Sequence, residues 1–451
     1  QLTFDFYHDK DLTADFKGGQ ITSDTGLLPV REMEEKLGWL TGAASVLSDP
    51  RDPDKTTHKL LPLLRQRVFG VFGGYEDCND HDRMRDDPVL KLTAHATPTG
   101  GPLASQPTLS RFENWTSARD VVWLNRLLVE QYIKLHRDDP PEQITLDIDP
   151  TDDPCHGHQQ LALFHGFYEQ RMYQPLLVFE RSTGMLLGVR LRAGNVSGDH
   201  RLLQLLRPIV DALKEAFPRA QIVVRGDAGL AGPRLYDYCE NSDLRYAIGI
   251  QAYPPFKKHT DFQVRRMEER HERTGRPARH YSSLWHEADS WPPKRRVMYK
   301  VEVDSEGSSR RFVVTNMKGL PIHLYRFYSD RGTCETFIDE LKNALDADRL
   351  SCRRFVANAF RLVMFALAHN LLRVYRTTLR GTPLEGASIE TIRSRFLKVG
   401  ARVRETVRRV WVHIATGFPY REVLAVVMER IRAMPSQAAH TAMPNAPPAM
   451  A

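Results

Sequence analysis

The sequence predicts an α/β protein built on a mixed sheet, on three observations. Residues 144–149 (ITLDID), 175–180 (PLLVFE) and 185–192 (MLLGVRLR) read as three strands in succession. The turn Ser182-Thr183-Gly184 joins the last two as a hairpin. Helix and strand patterns then alternate: helix 200–217, strand 221–226 (QIVVRG), helix 233–240 with Pro233 at its start, and strand 245–250 (RYAIGI). Antiparallel strands followed by alternating helix and strand give a mixed-sheet α/β layout. The chain has 451 residues, which allows about three domains or one core with large additions.

The flanking elements follow from the same periodicities. Residues 1–140 read mainly as helix and irregular chain. Leu27, Val30, Met33 and Leu37 share one helical side, and 60–72 and 121–135 behave likewise. Pro140 and Pro141 mark a boundary, so 141–251 forms the first part of the core. The pattern breaks at Ala252. Residues 257–279 are basic and polar, and 297–303 and 311–315 form a strand pair around Ser305-Glu306-Gly307. Residues 252–321 therefore read as an insertion carrying its own strands. Helical periodicity returns from Arg331, which assigns 322–380 to the second part of the core and 381–434 to a basic helical region. There, positions 392, 396, 399, 403, 407, 410 and 414 line up as the apolar stripe of an amphipathic helix. Residues 435–451, rich in Pro and Ala, read as a disordered tail. No internal repeat is visible.

Composition narrows the function. Hydrophobic content of 41% and charged content of 26% are ordinary for a globular chain and exclude a disordered or collagen-like one. Five scattered cysteines do not form a disulfide framework, so the expected compartment is the reducing cytoplasm. The first residues carry acids and lack an apolar signal region, and the start at Gln1 suggests a trimmed N-terminus. The longest apolar stretch, 357–375, is interrupted by Arg361, His369, Asn370 and Arg373, so no membrane span is expected. The net charge of +7 is unevenly spread. Residues 373–432 hold 13 Lys/Arg against 5 Asp/Glu, and a second basic stretch covers 257–311. Each patch alone could be a solvated face. Two patches flanking a carboxylate-rich core point to nucleic acid.

The carboxylates carry the chemistry. Asp149 ends one strand (Asp149-Pro150-Thr151) and Asp227 another (Arg225-Gly226-Asp227-Ala228-Gly229). Strand ends are where α/β sheets place ligands. A third acid, Glu335, lies in the helix after the insertion. Three converging carboxylates suit Mg²⁺, and two such ions can activate an attacking oxygen and stabilise a leaving one. A strand-end Asp also serves as a turn former or helix cap. Asp147, Asp152 and Asp153 compete for the place of the first acid; Asp147 shares the face of Asp149, and only the strand-end position favours Asp149. The helix pattern is stronger. Tyr328, Arg331, Glu335 and Lys342 recur at steps of three, four and seven, on one face where the segment is helical. An acid among Arg, Lys and a phenol suits a site that binds metal and grips phosphate; the bland alternative is a surface ion-pair stripe.

Tyr-x2-Arg-x3-Glu-x6-Lys, placed at Tyr328, Arg331, Glu335 and Lys342, resembles the Y-R-E-K signature of bacterial DDE transposases of the insertion-sequence-four superfamily. The chain is most similar to the insertion-sequence-1380 family, through 12–28 (LTADFKGGQITSDTGLL), 74–87 (GYEDCNDHDRMRDD), 108–114 (TLSRFEN), 146–160 (LDIDPTDDPCHGHQQ), 192–195 (RAGN), 223–232 (VVRGDAGLAG) and 331–352. The resemblance implies an RNase H-like catalytic core. It carries the two aspartates onto Asp149 and Asp227 and the glutamate onto Glu335, as catalytic residues and metal ligands for Mg²⁺, with Mn²⁺ as a substitute. It implies that Tyr328, Arg331 and Lys342 contact DNA phosphates. The implied reaction is cleavage of double-stranded DNA at terminal inverted repeats and joining of the 3′ ends to target DNA, by a homodimer in the synaptic complex, in a bacterial cytoplasm at the nucleoid.

The N-terminal region (1–140) and the basic C-terminal helices are the candidates for binding the inverted repeats and for dimerisation. Arg393, Arg395, Lys398, Arg402, Arg404, Arg408 and Arg409 are the candidate phosphate contacts. Trp285 and Trp291, among basic residues of the insertion, could stack on a flipped base or pack a local core. Cys155-His156-Gly157-His158 lacks the second ligand pair of a zinc site. No Walker A pattern points to ATP, and no Gly-x-Ser-x-Gly elbow is present. The alternatives are a metal-dependent nuclease on the same core, or a non-catalytic DNA-binding relative.

Overall fold

The computed structural model describes residues 2–288, 291 and 293–437, in two compact units. Residues 1–124, 341–347 and 363–451 make the first, and 125–340 with 348–362 the second. Gln1 and, from residue 438 onward, the expected tail lie outside the described residues.

The second unit is organised by one eight-stranded sheet. Its strands are β1 (Gln143–Pro150), β2 (Leu176–Glu180), β3 (Leu186–Arg190), β4 (Gln221–Gly226), β5 (Arg245–Ile250), β6 (Ala278–His286), β7 (Arg295–Asp304) and β8 (Gly307–Thr315). Across the sheet they run β6-β7-β8-β5-β4-β1-β2-β3. β1, β2 and β3 are antiparallel neighbours, while β4 and β5 continue parallel to β1. This is the mixed sheet of an RNase H-like core. β2 is buried throughout, and β1 is buried from Ile144 to Asp149, as expected for strands covered on both faces. Helix α1 (Leu202–Ala216) turns Leu202, Leu205, Leu206, Ile209, Val210 and Leu213 inward at helical steps. Helix α2 (Pro233–Asn241) links β4 to β5.

The region after β5 differs from its expected form in two ways. Residues 257–279 fold largely into α3 (Pro254–Thr274), a 21-residue helix that buries Phe256, Thr260, Val264 and Met267 and leaves its charged side wet. The strands that follow number three, and they belong to the main sheet: β8 pairs antiparallel with β5, β7 with β8, and β6 with β7. Open β5 edge backbone needs hydrogen-bond partners, and β8 supplies them. β6 escaped the sequence reading because ARHYSSLWH is weakly apolar; its residues are mostly half-buried.

The segment after β8 is also not one helix. α4 (Pro321–Ser329) ends at Asp330, α5 (Gly332–Asp339) starts after Arg331, and a π-helical turn, Glu340–Ala344, follows. The wider π turn breaks the 3.6-residue repeat that put Lys342 on the face of Glu335.

In the first unit, helices Leu27–Leu37, Trp39–Val46, Leu60–Gly73, Pro88–Thr93 and Gln106–Trp115 surround a buried Arg67–Glu113 ion pair of 2.8 Å. The expected amphipathic helix across 392–414 is corrected. A short helix, Ile389–Ile392, and a π turn, Arg393–Leu397, give way to a hairpin of β9 (Ala401–Glu405) and β10 (Val410–Ile414). Gly400 and the β-branched run 407–414 favour strand, and alternation beat the helical stripe: Ala401 and Val403 are buried, Arg402 and Arg404 exposed. Helix Phe355–Thr378 is long and apolar enough to cross a bilayer, and 89% of its apolar window is buried in the protein.

Candidate active site

The pairing of β1 with β4 decides where the acids lie. Gly226 sits opposite Ile148 in this parallel pair. The next residue on each strand is Asp227 and Asp149, so the two aspartates end neighbouring strands about 4.8 Å apart. The same register sets Arg225 opposite Asp147. Arg225 grips Asp147 with two bonds, Nε to Oδ1 at 2.6 Å and Nη2 to Oδ2 at 2.7 Å. Its Nη1 donates to the Phe327 carbonyl, and its guanidinium lies 4.8 Å from the Phe327 ring centre. Both charged side chains are fully buried. Asp147 is thus committed to structure, which resolves the choice left open by alternation in favour of Asp149.

Arg331 ties the third segment to this strand end. The break between α4 and α5 lets its Nη1 reach Asp149 Oδ2 at 2.9 Å, while Nη2 stands 3.6 Å from Glu335 Oε1. Helix α5 buries Cys334 and Phe337 on its inner side, and the Phe337 ring lies 5.7 Å from Phe179 of β2. Glu335 faces outward, its side chain 69% exposed. Tyr328 nears the end of α4. A Cβ on Gly249 would stand 2.5 Å from the Tyr328 hydroxyl and 3.0 Å from the Ala228 nitrogen, so glycine at 249 leaves room for the phenol beside the Asp227 turn.

Electrostatics unite the three acids. Burial pushes the Asp149 carboxyl up to about 7; Arg331 opposes the shift, and Asp227 and Glu335 add to it. Burial also raises the Tyr328 phenol, with further upward pushes from Asp227 and Asp149 against the lowering effect of Arg331. Asp227 does cap a short turn, accepting from the Gly229 nitrogen at 3.0 Å, but that uses only one carboxylate oxygen. A buried arginine supports the turn. Arg192 donates to the carbonyls of Gln174, Ser197, Gly198 and His200, and a Cβ on Gly198 would collide with the Gly229 carbonyl.

The donor set is all carboxylate, which fits a hard divalent cation, and the repulsion raising Asp149 is what a cation would relieve. Among the described residues, no three His, Cys, Asp or Glu side chains are already gathered as a metal cage. Asp149, Asp227 and Glu335 are therefore a carboxylate cluster balanced by Arg331. Lys342 is placed beyond α5, in the π turn, within a segment of the first unit.

The aromatic residues sort differently from their sequence reading. Trp291 is 6% exposed and packs on Tyr236 and His286 with Arg295 beside it, so its indole serves the local core. Trp285 is 69% exposed on the edge strand β6. Nearer the acids, an unpredicted small hairpin, Leu163–His165 with Gln170–Tyr173, follows Asp149 in the chain. It exposes Phe164 (58%) and Phe167 (83%), and its Tyr168 phenol is raised by burial and by Asp152, Asp227 and Asp149. Arg225, Arg192 and this hairpin carried no sequence signal beyond their presence in the quoted motifs.

Among the basic candidates, two are spent on structure. Arg393 caps helix Leu60–Gly73, donating to the carbonyls of Val71 and Phe72. Lys398 pairs with Asp24 at 2.5 Å and lies over the Tyr75 ring. Arg402, Arg404, Arg408 and Arg409 are exposed on the β9–β10 hairpin.

No curated protein matches the chain. Among solved structures, the piggyBac transposase synaptic complex with hairpin DNA, determined by cryo-EM, is similar over 95% of this chain and 87% of its own, at 11% identity and a TM-score of 0.41. The family described as transposase DDE domain group 1 matches residues 4–436, nearly the whole length, and this chain, with its two strand-end aspartates and helix-borne glutamate, belongs to that family as a DDE-type transposase enzyme.

Proposed function

We propose that this chain is an insertion-sequence transposase of the insertion-sequence-1380 type, which cleaves DNA at the terminal inverted repeats of its element and joins the freed 3′ ends to target DNA. The observation that carries the reading is the convergence of Asp149 and Asp227 on adjacent parallel strand ends with Arg331 and Glu335. Asp149, Asp227 and Glu335 would hold the divalent cations, Mg²⁺ by preference, whose contribution is Lewis-acid stabilisation of the attacking and leaving oxygens. Arg331 neutralises the acid cluster and presents a guanidinium able to fork onto a phosphate. The Tyr328 phenol stays protonated and offers a donor beside the Asp227 turn. Lys342, Arg402, Arg408 and Arg409 supply phosphate contacts, and two copies assemble to bring two ends together.

The experiment incubates the purified chain with Mg²⁺, labelled duplexes carrying the element end and a plasmid target. Expected are metal-dependent cleavage and joined products, both lost in Asp149→Asn, Asp227→Asn and Glu335→Gln while the DNA is still bound. Cleavage that survives in all three variants would falsify the assignment. Cleavage without joining, when paired ends are supplied, would leave a nuclease.

A further inference from the structure

We propose that the β9–β10 hairpin is a DNA-reading ribbon that enters the major groove of duplex DNA, with Arg402, Arg404, Trp411 and His413 toward the bases and Arg408 and Arg409 at its tip. The proposal rests on the transposase reading for the identity of its partner, but it concerns a surface distinct from the carboxylate site.

Register places these groups together. Arg402 lies opposite His413 and Arg404 opposite Trp411; on the other side of β9, Arg402 lies opposite Ile21 of the short strand Gln20–Thr22. Residues directly opposite in an antiparallel pair share a face. That face is exposed, with Ile21 at 59% and Trp411 at 47%. The alternate residues Ala401 and Val403 are buried and anchor the ribbon. The tip, Thr406–Arg409, is closed by the Thr406 nitrogen donating to the Arg409 carbonyl at 2.8 Å, and it holds Val407 fully in solvent.

Charge selects the partner. Residues 400–414 contain four arginines and one acid, Glu405. Glu405 is engaged by the Thr99 nitrogen at 3.1 Å and by the Thr99 hydroxyl. Among the described residues, none of the four arginines forms an ion pair. Arg409 lies 5.8 Å from the Trp411 ring centre, and Trp411 and His413 are parallel within 4°. The ribbon is thus a cationic and aromatic surface with no competing acid. Strands of five residues span about 17 Å, and a two-stranded ribbon fits the roughly 12 Å major groove but not the roughly 6 Å minor groove. Arginine can fork onto guanine, and an apolar group such as Val407 can meet a thymine methyl.

The test uses the full chain, a short mixed-sequence duplex and fluorescence anisotropy across a salt series. Arg404→Ala/Arg408→Ala/Arg409→Ala should weaken binding and flatten the salt slope by about 2.7, at about 0.9 per lost phosphate contact. Trp411→Ala should weaken binding with the slope unchanged. Circular dichroism should stay that of wild type, because the altered side chains are exposed. Methyl green, which fills the major groove, should compete; netropsin, which fills the minor groove, should not. An unchanged slope and affinity in the triple variant overturns the proposal, as does displacement by netropsin alone. Loss of self-association with intact duplex binding would reassign the face to a second copy pairing along β10. A loss confined to single-stranded DNA would make it a stacking surface. The parent reading is judged separately, by cleavage in the acid variants.

Discussion

Arg225→Met should be among the most damaging single substitutions in the catalytic unit, although Arg225 touches no substrate in the proposed reaction. Its guanidinium makes two bonds to Asp147 at 2.6 and 2.7 Å and a third to the Phe327 carbonyl, and neither charged side chain has measurable exposure. Removing the arginine strands a buried carboxylate, a loss of about 3–5 kcal/mol. That is a large share of the roughly 5–15 kcal/mol that holds a typical domain together. Asp147→Leu alone strands the guanidinium and should cost a similar amount. The double variant Asp147→Leu/Arg225→Met strands neither charge and should recover most of the loss, since well-packed apolar pairs replace buried ion pairs at little cost. Urea unfolding followed by circular dichroism gives the cycle, and a coupling of about 3 kcal/mol is expected. The same double variant should retain metal-dependent cleavage, because Asp147 is a scaffold group and Asp149 the ligand. A cost below about 1 kcal/mol for Arg225→Met, or single losses that simply add in the double variant, would refute the reasoning.

Three further outcomes are expected. Gly249→Ala places a Cβ 2.5 Å from the Tyr328 hydroxyl and should lower cleavage by about 10- to 100-fold through misplacement of the phenol and the Asp227 turn; Tyr328→Phe in the same chain should restore part of the rate, and no restoration would place the fault elsewhere. The Asp149 carboxyl, at about 7 in the fold against 3.8 as a free group, keeps its proton in the folded state across that window, so the metal-free protein should lose stability as pH rises from 4 to 7. Added Mg²⁺, which needs the ionised form, should raise the melting temperature more at pH 8 than at pH 5.5, and equal shifts would contradict the ligand assignment. Phe164→Ala/Phe167→Ala should leave stability within about 0.5 kcal/mol, because both rings are exposed. It should weaken binding to single-stranded DNA by about 1–3 kcal/mol per lost stack; equal affinity at matched salt would remove the hairpin from the DNA path.

What was legible in the sequence was whatever local periodicity controls. The strands β1 to β5 were read nearly to the residue, because each is a short apolar run bounded by Gly, Pro, Asp or Ser. The strand-end aspartates followed from those boundaries. Choosing Asp149 over Asp147 could not, since both occupy one face; the decision came from Arg225, a partner 78 residues away. Position 403 belongs to the helical stripe and to the strand alternation alike, so the C-terminal segment fitted both periods. Pairing with Gln20–Thr22, almost 400 residues earlier, selected the strand. Lys398 and Arg393 looked like phosphate contacts because sequence shows charge but not the carboxylate or carbonyls that absorb it.

The break between α4 and α5 explains how one short segment serves both strand ends. In an unbroken helix, Tyr328, Arg331 and Glu335 would form a single ladder, all pointing the same way. Instead α4 closes with the Asp330 nitrogen bonding the Arg326 carbonyl at 3.0 Å, and the chain turns before α5 begins. Tyr328 is left beside Gly249 and the turn after Asp227. Arg331 swings to Asp149, and Glu335 projects outward from a helix anchored by Phe337 on Phe179. The phenol, the guanidinium and the third carboxylate thereby address different parts of the two-strand rim. The register of β1 on β4 fixes the rim, the Arg225 bonds to Asp147 and to the Phe327 carbonyl lock α4 over it, and the kink distributes the remaining groups around it.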